Sequence, residues 1–186
     1  DTIASINSPA YWDRTKEKTS SQNELFQKYD CFNEKDYIAL FHHCQDVEID
    51  YLSTPFDDTA VDFLDPLMAC FKIASADITN IPFLRKIASK KKPVLLSTGA
   101  SNLKEIDTAI SELKSYGAKD ICLMHCILNY PTDNENAHLN MIMGLKETYP
   151  DMLIGYSDHT LPDPKMLVLT AAYLKGAVVI EKHFTY

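Results

Sequence analysis

From about residue 51 onward the chain alternates short apolar runs with longer stretches in which apolar positions recur every three or four residues. The runs IDYLSTPF, FKIAS, KPVLLSTG, DICLMHC, MLIGYS and AVVIEKH predict six strands, ending at Ser53 and Thr54, Ser75, Ser97 and Thr98, His125, Ser157 and His183. Successive ends are 22, 22, 28, 32 and 26 residues apart. Helical periodicity fills the gaps over residues 59–68, 82–89, 102–116, 139–149 and 164–175. The last of these carries Asp163 as N-cap, Pro164 at its first position and Gly176 past its end. Strands and helices alternating at this spacing predict a parallel sheet.

The first 50 residues read differently. Residues 1 to about 20 are polar and predict a loop. Ser20 or Ser21 could cap a short helix, and Asn33 caps a firmer one with Tyr37, Leu40, Phe41, Cys44 and Val47 along one face.

Composition narrows the class. A chain of 186 residues with 46% hydrophobic content can bury one domain's core. No apolar run reaches the roughly 20 residues that cross a bilayer, and no signal peptide opens the chain, so a soluble, cytoplasmic protein without a membrane partner is expected. A net charge of -8 with only two arginines, Arg14 and Arg85, argues against nucleic acid as a partner. The five cysteines are odd in number and scattered, as reduced core residues rather than a disulfide frame.

Five glycines supply neither a G-x-G-x-x-G turn nor a P-loop, which removes the doubly wound nucleotide folds. Nearly every strand instead ends in a hydroxyl or a histidine, with a lysine inside FKIAS. A (β/α)8 TIM barrel gathers its chemistry at the carboxyl ends of its strands, and this is the expected fold. Since only six strands are countable and such barrels run to roughly 250 residues, two βα units are expected before residue 1. The two strands ending in GYSDHT and EKHFT are expected to be parallel neighbours. Alternation along them then turns Ser157 and His159 one way and Glu181 and His183 to meet them, two imidazoles and a carboxylate at one rim. Such histidines are either metal ligands or hydrogen-bonded rim residues.

In order, KIASAD, KPVLLSTG, HCILNYPT, GYSDHT and EKHFT resemble the sialic acid synthase family, the enzymes that condense phosphoenolpyruvate with N-acetylmannosamine or a related 2-acetamido sugar. The resemblance runs from about Tyr51 to the end, with weaker likeness in PAYWD. It implies a TIM barrel followed by a small antifreeze-like domain, of which residues 1–186 would hold strands three to eight as a partial barrel. The first two βα units and the C-terminal domain would then lie outside this sequence.

The resemblance places a divalent metal, Mn2+ with Mg2+ or Co2+ as alternatives, on His159 and His183. It places phosphoenolpyruvate on Thr54, Lys72, Ser75, Ser97, Tyr130 and Ser157, and acid–base work on Asp77 and Glu181, with Tyr130 at the mouth. The residues read by themselves agree in part: Lys72 is a lysine between apolar neighbours on a central strand, where an idle charge is costly. Any one of the serines could equally cap the helix that follows it. The sequence departs from the family at Leu128, often asparagine or serine, where Asn129 could compensate; at Asp77, near the sugar, it carries the shorter of the two carboxylates the family uses, glutamate or aspartate. Asp158 is expected to orient His159 or its loop, and His125 to serve a rim or core hydrogen bond.

The reaction so implied joins C3 of phosphoenolpyruvate to the aldehyde carbon of the open-chain sugar. Water then adds at C2, and phosphate leaves by C–O cleavage to give a nine-carbon 2-keto acid. The expected partners are these small molecules, with a homodimer as the full-length assembly. The rivals are another phosphoenolpyruvate–aldose synthase, whose second phosphate site is not visible because neither Arg14 nor Arg85 ends a strand, and a non-catalytic metal- or sugar-binding barrel.

Overall fold

The computed structural model describes residues 9, 10 and 12–184. Tyr11 of the PAYWD stretch, Thr185 of EKHFT and residues 1–8 of the expected N-terminal loop lie outside them. The chain divides into two compact units, Asp1–Tyr51 and Leu52–Tyr186.

In the first unit, Ser21 accepts from the Glu24 backbone and starts α1 (Gln22–Tyr29). Asn33 and Asp36 form a capping box at the head of α2 (Glu34–Asp46). The expected apolar face of α2 is not buried: Leu40 and Val47 are exposed, and neither helix buries any residue. Periodicity identifies a face but supplies nothing to cover it, and within this unit Phe41 meets the edge of Tyr51, ring centroids 6.1 Å apart, and the ring of its neighbour His42 at 5.4 Å.

The second unit holds α3 (Asp58–Leu64), β1 (Phe71–Ile73), α4 (Ile81–Ala88), β2 (Val94–Ser97), α5 (Leu103–Ser115), β3 (Ile121–Cys126), α6 (Asn140–Thr148), β4 (Leu153–Asp158), α7 (Leu167–Leu174) and β5 (Val179–Lys182). All strands are parallel and their order is β1-β2-β3-β4-β5, with no reversal. Right-handed crossovers in one direction put every helix on the same face, which is barrel winding and not doubly wound. The sheet also curls. Four strand spacings would hold flat outer strands roughly 19 Å apart. Yet Lys72 on β1 reaches Glu181 on β5, Nζ to Oε2 at 3.1 Å.

Five strands stand among the described residues, not six. Residues 51–56, carrying Ser53 and Thr54, form no strand. A strand exists through a backbone partner, and the Ser53 N–H points instead at the Met68 thioether, 3.0 Å away. Helix α7 also starts later than expected. Asp163 accepts from the Lys165 and Leu167 backbones in a turn, and the helix begins after Met166, whose φ of 49° lies in the left-handed region. His125 lies inside β3, one residue short of its end.

The helix-facing side of the sheet is the core: Phe71, Ile73, Val94, Leu96, Leu123, Ile154 and Tyr156 are all buried. Of the free cysteines only Cys122 and Cys126 are buried, while Cys31 is exposed.

Candidate active site

Strand register decides which side chains share the face turned away from the helices. Lys72 pairs with Leu95, Leu95 with Cys122 and Cys122 with Leu153. Two residues further along, Ser97 pairs with Met124, Met124 with Gly155 and Gly155 with Val179. One step more brings Cys126 opposite Ser157 and Ser157 opposite Glu181. Alternation therefore puts Lys72, Ser97, Cys126, Ser157 and Glu181 on one inner surface, at its carboxyl rim.

The inner surface is ionic and hydroxylic. Burial pushes the Glu181 carboxyl up, but the Lys72 charge and hydrogen bonds from Ser157 and Lys72 outweigh it and hold the group below the ordinary glutamate value. Lys72 is itself buried. Ser97 is buried too, and its hydroxyl has no hydrogen-bond partner. Ser75 follows β1 in a 3-10 turn and donates to the Cys126 thiol, as does the Gly99 backbone N–H; burial nevertheless keeps that thiol protonated. The loop after β2 lies so close here that a Cβ at Gly99 would fall 2.6 Å from the Cys126 sulfur.

Beside it stand the aromatic rings. His159 Nδ1 lies 2.5 Å from the Ile127 carbonyl, which can only accept, so the proton sits on Nδ1 and the Nε2 lone pair is free to bind. That Nε2 faces the Ser157 hydroxyl at 3.3 Å. Burial depresses the His159 pKa and favours the neutral ring, against the Ile127 hydrogen bond. Tyr130 stacks on His159 with centroids 4.0 Å apart, and His183 meets both edge-on, at 5.7 Å from His159 and 6.0 Å from Tyr130.

Other candidate residues lie apart. Thr54 sits in the irregular stretch before α3. Asp77 closes the 3-10 turn after β1, where burial raises its pKa against a hydrogen bond from the Asn80 side chain. Asn129 and Leu128 are exposed on the loop after β3, where the Asn129 carbonyl accepts from the Thr132 hydroxyl. Asp158 and His125 point to the helix side. His125 bonds the Ala137 carbonyl at 2.9 Å and stacks on Tyr156. Asp158 accepts from Tyr156, Thr160 and Lys182. Two members escaped the sequence reading, Cys126 and Lys182. Period two within CLMHC and VIEKH separates their faces, but which face is the inner one follows from register alone.

Among the described residues no group of three or more His, Cys, Asp or Glu side chains gathers in metal-holding geometry. The donor set that fits a divalent cation is the imidazole pair, with the His159 tautomer already set by a backbone carbonyl, as ligating histidines commonly are.

The NeuB family model matches residues 1–186. The chain belongs to the NeuB family. It is 41% identical over 175 residues to the N,N'-diacetyllegionaminic acid synthase of Campylobacter jejuni, covering 92% of this chain and 51% of the relative. It is 34% identical over 155 residues to the N-acetylneuraminate-9-phosphate synthase of Drosophila melanogaster, covering 83% and 41%. The fold is similar to the crystal structure of N-acetylneuraminic acid synthetase from Leptospira borgpetersenii, with a TM-score of 0.81 and 32% identity over 92% of this chain and 59% of that one. The chain spans about half the length of the curated NeuB relatives it matches.

Proposed function

We propose that this chain carries the catalytic rim of an enzyme that condenses phosphoenolpyruvate with an acetamido sugar to give a nine-carbon 2-keto acid and phosphate. The observation that carries the reading is the pairing of the buried Lys72 ammonium with Glu181 on the same inner surface as the unpartnered Ser97 hydroxyl and the His159–His183 pair. The named relatives make different sugar acids, so the acetamido sugar stays a class.

Phosphate needs a fixed cation among converging donors. Lys72 supplies the charge, and the Ser75, Ser97 and Ser157 hydroxyls lie on or beside its face to donate. The Ser97 hydroxyl, buried without a partner, gains its hydrogen bond when an anion enters. Glu181, held anionic, faces the cationic character that develops at C2 as C3 of phosphoenolpyruvate bonds to the aldehyde carbon. The same carboxylate stands ready to take a proton from the water that adds at C2 before phosphate departs with its bridging oxygen. Tyr130 covers His159 at the mouth and narrows access of water to the rings.

His159 and His183 would hold a divalent cation, manganese in the first instance, which when bound supplies Lewis-acid polarisation of the sugar aldehyde. In the full-length protein His159→Ala or His183→Ala is expected to lose Mn2+ and turnover together. Either variant turning over at the wild-type rate after chelation would remove the metal assignment.

A further inference from the structure

Lys182 and Asp158 are direct register partners on β5 and β4, and each immediately precedes one member of the histidine pair. Their side chains turn to the helix face, away from the inner surface, and meet at 2.7 Å with Asp158 fully buried. Three further contacts tie this pair to Thr160, the residue after His159. Asp158 accepts from both the backbone N–H and the hydroxyl of Thr160, each at 3.0 Å. Lys182 donates to the Thr160 carbonyl as well. One β5 ammonium thus grips the residue before and the residue after His159, while its own backbone leads into His183. Tyr156 closes the arrangement by donating to Asp158 at 2.9 Å.

We infer that Lys182, through Asp158 and Thr160, is the positioning residue that sets the spacing of His159 and His183 from behind the sheet. This role rests on the metal site proposed above, while the contacts that set the spacing do not depend on what the rings bind. Each histidine lies just beyond the last ladder position of its strand, where backbone pairing no longer holds the chain. Past that point, register between the two ends depends on side chains, and a buried carboxylate with every acceptor filled, paired to a half-buried ammonium, tolerates one arrangement. The next cross-strand tie beyond His159 runs to a different loop: Thr132 N–H donates to the His159 carbonyl at 2.8 Å, which orients His159 and leaves His183 unconstrained.

The test measures Mn2+ affinity by the loss of the free-ion electron paramagnetic resonance signal in the full-length protein, beside circular dichroism of the fold. Lys182→Met is expected to weaken Mn2+ by about ten- to a hundredfold, the usual cost of removing a residue that orients metal ligands, while the phosphoenolpyruvate KM holds. Lys182→Arg, which keeps two donors in place, is expected to recover most of the affinity. If Lys182→Met does not fold, Asp158→Asn with Lys182→Met, which leaves no unpaired buried charge, is measured in its place with the same expectation. Wild-type Mn2+ affinity in the folded variant overturns the positioning role. Wild-type Mn2+ affinity in His183→Ala overturns the metal site instead, so the two failures are distinct.

Discussion

The Lys72 ammonium and the Glu181 carboxylate, carried by the first and last strands of the five-stranded sheet, meet at 3.1 Å across the inner surface. This contact measures the curl of the sheet and places a cation beside the hydroxyls of three strand ends. It also gives Lys72 two states. Without a ligand its charge is neutralised by Glu181, and an anion entering the site must share or take that charge.

Lys72→Ala should therefore raise the phosphoenolpyruvate requirement with the fold intact. A charge-assisted contact is worth about 1.5–3 kcal/mol, so KM for phosphoenolpyruvate should rise by roughly 10- to 150-fold. Steady-state kinetics on the full-length protein decide this, and an unchanged KM would move the phosphate site off the inner surface.

Asp158 predicts an acid limit. Burial alone would raise its pKa, but the hydrogen bonds from Lys182, Thr160 and Tyr156 outweigh it and leave the carboxyl below its ordinary value of 3.8. The folded state therefore holds its proton more weakly than the unfolded chain. The stability this supplies is complete above the unfolded value and disappears as pH falls through the lower folded one. Denaturation midpoints measured between about pH 5 and pH 2 should fall more steeply for wild type than for Asp158→Asn. Parallel curves would show that Asp158 is not ionised in the fold.

Two glycines of the second unit predict opposite signs. A Cβ at Gly155 on β4 would stand 2.2 Å from the Met124 sulfur and 2.9 Å from the Val179 carbonyl. The sulfur can swing aside but the backbone carbonyl cannot, so Gly155→Ala should destabilise by about 1–3 kcal/mol. Gly144 sits on the exposed side of α6 with nothing within 4 Å of the added carbon. Gly144→Ala should stabilise by about 0.5–1 kcal/mol, since alanine loses less backbone freedom in a helix. Urea titrations that reversed this order would contradict the packing between β3, β4 and β5.

Local chemistry was legible in the chain. Asn33 caps α2 where its position predicts, because a capping side chain bonds a backbone two or three residues away and needs nothing else. The apolar runs of β1 to β5 and the meeting of Ser157, His159, Glu181 and His183 follow from period two and parallel pairing alone. The run ending at Thr54 is as apolar as the others, yet it is no strand, since a strand depends on a partner that its own residues do not encode. The start of α7 moved for a related reason: Asp163 can cap a turn as readily as a helix, and the backbone at Met166 decided between them. Register and curl, which join residues more than a hundred positions apart, belong to the tertiary structure. They brought Lys72 to Glu181, set Cys126 beside Ser75, and turned Asp158 and Lys182 to the far side of the sheet, behind the histidines that follow them.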